Sequence, residues 1–193
     1  MGDTVAKKDT TKTTPTDDEK RKEVVIPSRT IDLIILHCTA TPDGKPHTVA
    51  QIDAGHLARG WHRKASWKKL QNPDLTSIGY HFVIYPDGSV HTGRHEMEQG
   101  AHVQGMNVTS LGVSMVGSYK FTQAQWTSLA SKVAELESKY SVTEVHGHNE
   151  YAAKDCPGFK VKDWLDGGRK PLAANLIEEP KPATPATPTS GPQ

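Results

Sequence analysis

Cysteine is scarce in this chain: Cys38 and Cys156 are the only two in 193 residues. Two thiols cannot build the disulfide framework that holds small secreted domains together, so stability must come from a packed core. Long apolar runs are missing as well. The longest is "IDLIIL", residues 31–36, far short of the roughly 20 residues that a membrane-crossing helix needs. There is no excess of one charge: 23 Lys and Arg stand against 22 Asp and Glu, leaving +1, so overall charge gives no argument for a nucleic-acid partner, and none is expected. The opening "MGDTVAKKDTTKTTPTDD" has no apolar h-region, which predicts synthesis in the cytoplasm without a secretory signal. Ala6 stands where an N-myristoylation motif needs Ser or Thr. No internal repeat is visible.

What remains is enough for one domain, with 35% hydrophobic and 23% charged residues. Residues 1–23 hold Val5 as their one apolar residue beyond alanine and the initiator Met. Such a stretch cannot bury enough surface to offset its ordering entropy. Residues 178–193, "EEPKPATPATPTSGPQ", carry five prolines and suit an extended tail. The boundaries predicted are a tail over 1–28, a domain over 29–170 and a Pro/Thr-rich tail over 171–193.

Between the tails the pattern is mixed. "IDLIILHC" is a short continuous apolar run, as in a strand buried on both faces. "HTVAQIDAGHLARG" predicts a helix with Thr48 and Gln51 as a capping box and Gly60 as its end. "IGYHFVIY", the turn "PDGS" and "VHTG" predict a hairpin. "SLGVSMVG" and "TEVHGH" are two more strands. "FTQAQWTSLASKVAELESKY" is the strongest helix, capped by Thr122 and Gln125, with Trp126, Leu129, Val133 and Leu136 on one face. "VKDWLDGG" is a last helical turn closed by Gly167. The class is α/β: one domain, with a central mixed sheet of about five strands flanked by helices.

Ten histidines stand out. Most would be exposed or hydrogen-bonded core rings. Some could ligate a metal. His37 ends the first buried strand, His148 follows the last, and Cys156 lies in the adjoining polar loop "GHNEYAAKDCPGF". Functional groups gather beyond strand ends in α/β sheets. Imidazole and thiolate are zinc ligand types, and three of them leave a fourth position for water. Taken alone the set is a weak signal, because two histidines and a cysteine at unrelated positions also arise by chance.

Four blocks in order change its weight: "ILHCTAT", "GYHFVI", "GAHVQGMN" with "SLGVSMVG", and "HNEYAAKDCPGF". Together they resemble the zinc-dependent N-acetylmuramoyl-L-alanine amidase family (amidase type 2), whose fold the peptidoglycan recognition proteins share. The resemblance covers roughly residues 30–166. It implies a surface groove with one zinc at its floor, held by His37, His148 and Cys156. It places the catalytic roles of the T7-like branch on Tyr80 and Lys154, and makes His102 and Asn107 substrate-contact candidates. It implies a peptidoglycan hydrolase of the phage endolysin type, cutting the amide between N-acetylmuramic acid and L-alanine as a monomer acting on the bacterial cell wall. The alternatives are a recognition protein that binds peptidoglycan without cutting it, or a regulator that binds a polymerase.

Other residues have plainer readings. His81 neighbours Tyr80 but alternates to the opposite face. Cys38 is a buried small residue. His146 is the best rival for a ligand role, and Glu150 is either a ligand orienter or an exposed acid. "RGWHRKASWKKLQNPDLTS" is either a groove lip that grips glycan or anionic polymer with Trp61, Trp67 and its cations, or an irregular loop packed by its tryptophans.

Overall fold

A computed structural model describes residues 26–178. The N-terminal tail expectation falls almost wholly on residues outside that range. The chain runs β1 (Leu33–Cys38), α1 (Val49–Leu57), α2 (Ala65–Leu70), β2 (Phe82–Ile84), β3 (Val90–Thr92), β4 (Ser110–Met115), α3 (Gln123–Tyr140), β5 (Glu144–Gly147) and α4 (Val161–Asp166). One five-stranded sheet has the order β3-β2-β4-β1-β5. β1 pairs parallel with β4 and β5, and β2 pairs parallel with β4. Only the β2–β3 hairpin is antiparallel. The sheet is therefore mixed, as expected.

β1 and β4 are buried at every position, so their apolar runs face helices on one side and loops on the other. Ile34, Leu36, Leu111, Val113 and Met115 enter the main core. There they meet Trp126, Leu129, Val133 and Leu136 of α3, and Val161 and Trp164 of α4. Both anticipated capping boxes form, at Thr48 with Gln51 and at Thr122 with Gln125. The first helix ends earlier than Gly60, at Leu57 with Ala58 as its cap; Gly60 takes a left-handed turn beyond it, at φ +77°.

The opposite face is covered in two separate patches. Ile52 of α1 packs with Leu75, Ile78, Val83 and Val116, while Leu33 and Ile35 of β1 pack with Val103. His37 follows Ile35 on this face, at the C-terminal end of β1 between the patches. The chain leaving β1 returns at β2, on one side of the sheet centre, and the chain leaving β4 returns at β5, on the other. Their C-terminal ends thus flank the crevice where open α/β sheets bind ligands.

Residues 171–178, which the sequence reading assigns to a tail, continue along the body. Leu172 and Leu176 pack on the main core, and Leu176 forms a parallel bridge with Phe121. Two leucines and the Asn175 amide, which donates to the Tyr119 and Gly158 carbonyls, tie this stretch to the body. Residues 179–193 lie outside the described range.

Candidate active site

A groove of about 1000 Å³ opens over the C-terminal ends of β1 and β5. α1 supplies one wall with His47 just before it, Gln51, Ile52 and His56; the 101–107 loop and the 148–156 loop supply the others. His148 and Cys156 line it, and the buried His37 meets them there, with one ligand atom from each lying within 4.8 Å of the others. Strand and loop geometry bring them there. His37 is fixed by β1, and His148 opens the one-turn helix His148–Glu150 directly after β5. Cys156 is carried back by its own loop, whose Cys156 carbonyl accepts from Asn149 N–H at 2.7 Å. The Cys38 N–H donates to Cys156 Sγ at 3.2 Å.

The donor set suits zinc. The His37 Nδ1 to Cys156 Sγ separation is 3.6 Å, and a tetrahedral ion with ordinary Zn–N and Zn–S lengths holds such atoms about 3.5 Å apart. Burial first, then His102, His148 and Lys154, hold the His37 imidazole well below its usual range, so it is neutral with a free lone pair. Burial and Lys154 also lower His148. The hydrogen bond with the Cys38 thiol and burial push the Cys156 thiol up; a cation at the cluster opposes that shift.

Tyr80 precedes β2, with its ring centroid 5.0 Å from that of His37. Burial, then the neighbouring cysteines, raise its hydroxyl above the usual phenol range, so it is a protonated donor at neutral pH. Lys154 is exposed on the rim of the groove, two residues before Cys156. His102 and Asn107 both line the groove, but their polar atoms are turned inward. His102 is 5% exposed and shares a 3.0 Å hydrogen bond with His37 Nε2. Asn107 Oδ1 accepts from the backbone N–H groups of His102 and Val103 at 2.9 and 3.0 Å. The contact between His37 and His102, 65 positions apart, leaves no local signal in the sequence.

The remaining readings separate cleanly. His81 is buried, accepting from Gly112 N–H through Nδ1 and meeting the Glu98 carbonyl through Nε2. Cys38 is buried with its side chain in the main core. His146 bonds Tyr151 and faces Glu150, outside the three-residue cluster. Glu150 accepts from Gly147 N–H at 2.6 Å and so caps the turn that carries His148. The basic segment is turn and coil except for its middle, Ala65–Leu70, which forms α2. Its Arg63 is consumed by a buried ion pair with Glu98 at 2.8 Å and by backbone carbonyls, and Trp67 stacks on His95. Only Arg59 and Trp61 of that segment line the groove, next to His56, which the sequence reading did not single out.

Known proteins resemble this chain in sequence and in fold. Residues 27–159 match the family described as N-acetylmuramoyl-L-alanine amidase. The endolysin of Escherichia phage T7 is 37% identical over 143 residues, spanning 70% of this chain and 85% of that protein. Peptidoglycan-recognition protein SC2 of Drosophila melanogaster is 32% identical over 44% of this chain and 49% of its own length. Among solved structures, the N-acetylmuramoyl-L-alanine amidase LysC from Clostridium intestinale superposes with a TM-score of 0.61 at 27% identity, over 74% of this chain and 88% of that one. By family match and by relatives aligned over most of their length, the chain belongs to the N-acetylmuramoyl-L-alanine amidase family.

Proposed function

We propose that this chain is a zinc-dependent endolysin that hydrolyses the amide between the lactyl group of N-acetylmuramic acid and L-alanine in peptidoglycan. The observation that carries this reading is the convergence of His37, His148 and Cys156 within 4.8 Å at the groove floor. His37 and His148 would hold the ion through neutral imidazoles and Cys156 through its thiolate, leaving one side open to the groove. When bound, zinc supplies an electrophile for the carbonyl and a nucleophile from water at neutral pH. The protonated Tyr80 hydroxyl, whose ring lies against His37, is suited to donate a hydrogen bond to charge developing on the carbonyl oxygen. The Lys154 ammonium on the rim adds a positive charge to the same oxyanion, without ligating or packing. His56 and Trp61 form the far wall, where an apolar and aromatic surface suits a sugar or peptide backbone.

A cysteine in the cluster favours hydrolysis over recognition alone, since binding by itself needs no thiolate ligand. No helix among the described residues is long and apolar enough to cross a membrane. The test is digestion of purified sacculi with mass analysis of the products, alongside metal analysis. Stem peptides with a free L-alanine amino group should be released, and the chain should carry one zinc. Chelation should abolish release and added zinc should restore it; absence of stem-peptide release would overturn the reading.

A further inference from the structure

The chain of contacts behind His37 has a direction that a backbone carbonyl decides. Ser110 is fully buried, and its hydroxyl donates to the Met106 carbonyl at 2.7 Å. A hydroxyl has one hydrogen, so Ser110 Oγ can only accept from its other neighbour, His102 Nε2 at 3.4 Å. His102 Nε2 must then carry the ring hydrogen, leaving Nδ1 as an acceptor. His102 Nδ1 faces His37 Nε2 at 3.0 Å, so His37 Nε2 holds the hydrogen and His37 Nδ1 holds the lone pair. His37 Nδ1 is the nitrogen turned toward Cys156 Sγ.

The surroundings are shaped to keep His102 in that place. A Cβ on Gly112 of β4 would come 2.8 Å from the His102 ring, and one on Gly100 would come 2.4 Å from it. Two glycines therefore open the slot that the ring fills. Asn107 holds both backbone N–H groups of the turn that presents it. We propose that His102 is a positioning residue, which fixes His37 in the Nε2–H tautomer and aims its Nδ1 lone pair at the metal cluster, rather than a group that contacts substrate. Metal-bound histidines elsewhere hand their second nitrogen to a carboxylate or carbonyl; here a neutral histidine backed by Ser110 and Met106 takes that place. The inference rests on the zinc reading of the cluster.

The test compares zinc affinity, by competition with a chromophoric chelator, for the full chain and two variants. His102→Leu keeps the volume and removes the acceptor. His102→Asn puts an amide oxygen near the Nδ1 position. The Leu variant should bind zinc about 10–100-fold more weakly, and the Asn variant should recover most of the loss; a merely structural role predicts no such rescue. Nitrogen-15 spectra of the zinc-loaded wild-type histidines provide a measurement that needs no variant, with His37 and His102 both expected as Nε2–H tautomers. Wild-type zinc affinity in His102→Leu, equal losses in both variants, or an Nδ1–H tautomer at His102 would each overturn the inference while leaving zinc binding intact. A wild-type chain that takes up no zinc would overturn the metal reading itself.

Discussion

At the scale of single residues the site separates groups that hold from groups that react. Lys154 is exposed on the groove rim and is not one of the three clustered ligands, so Lys154→Ala should leave zinc content and melting temperature unchanged. Turnover on sacculi should nonetheless fall about 10²–10³-fold, the usual cost of removing one oxyanion donor. Tyr80→Phe should behave alike, because it deletes a hydroxyl and keeps the ring against His37. Cys156→Ser should do the reverse and lower zinc affinity first, since an alcohol is a poor substitute for a thiolate. Wild-type turnover in Lys154→Ala would leave that residue a solvated loop cation.

Elements differ in what they protect. α3 buries Trp126, Leu129, Val133 and Leu136 completely, on the sheet face away from the groove. Leu129→Ala should therefore cost about 2–5 kcal/mol of stability, as buried leucine truncations do, with zinc affinity near wild type at temperatures where the fold persists. The 148–158 loop is the opposite case. Gly158 sits at φ +89° with the Ser118 carbonyl 1.9 Å from where a Cβ would stand. Gly158→Ala must move backbone two residues from Cys156, so its zinc affinity should fall along with stability. Equal zinc affinity in both variants would show that the loop tolerates displacement.

For the molecule as a whole, the buried histidines set a pH limit. Burial, then the charge of Arg59, lowers His56 to about 4, and burial lowers His81 well below its usual range. Their folded-state values lie below the unfolded value of about 6.5, so the unfolded chain takes up protons first. These groups leave stability unchanged above about pH 6.5 and reduce it as pH falls toward 4. Urea midpoints of chelator-treated protein should drop steadily between pH 7 and 4.5. His56→Asn, whose amide oxygen can still accept from Gly79 N–H in place of the Nδ1 contact at 2.9 Å, should flatten that slope. The C-terminal contacts give a second test. A chain trimmed to residues 26–178 should keep its melting temperature and activity. One ending at residue 170 should melt lower, because it loses Leu172, Leu176 and the Asn175 amide that bonds the Tyr119 and Gly158 carbonyls.

The sequence by itself determined the local elements, because their signals are local: two capping boxes, alternating and continuous apolar runs, and a Pro-Asp-Gly turn all act within a few residues. It also brought His37, His148 and Cys156 together as candidates, since strand ends converge in an α/β sheet and four ordered blocks resemble one family. Tertiary structure decided the rest. Arg63 looked like a free cation until Glu98, 35 positions on, consumed its guanidinium. Residues 171–178 looked like tail because their few apolar side chains have no period, and they are held by partners distant in sequence: the main core, Phe121 and the Tyr119 and Gly158 carbonyls. His102 looked like a groove contact because its loop lines the groove. Its ring instead turns to His37 across two glycine gaps in strand and loop. Hydrogen-bond direction and the room left by a missing Cβ are properties of neighbours in space, and the order of residues along the chain does not encode them.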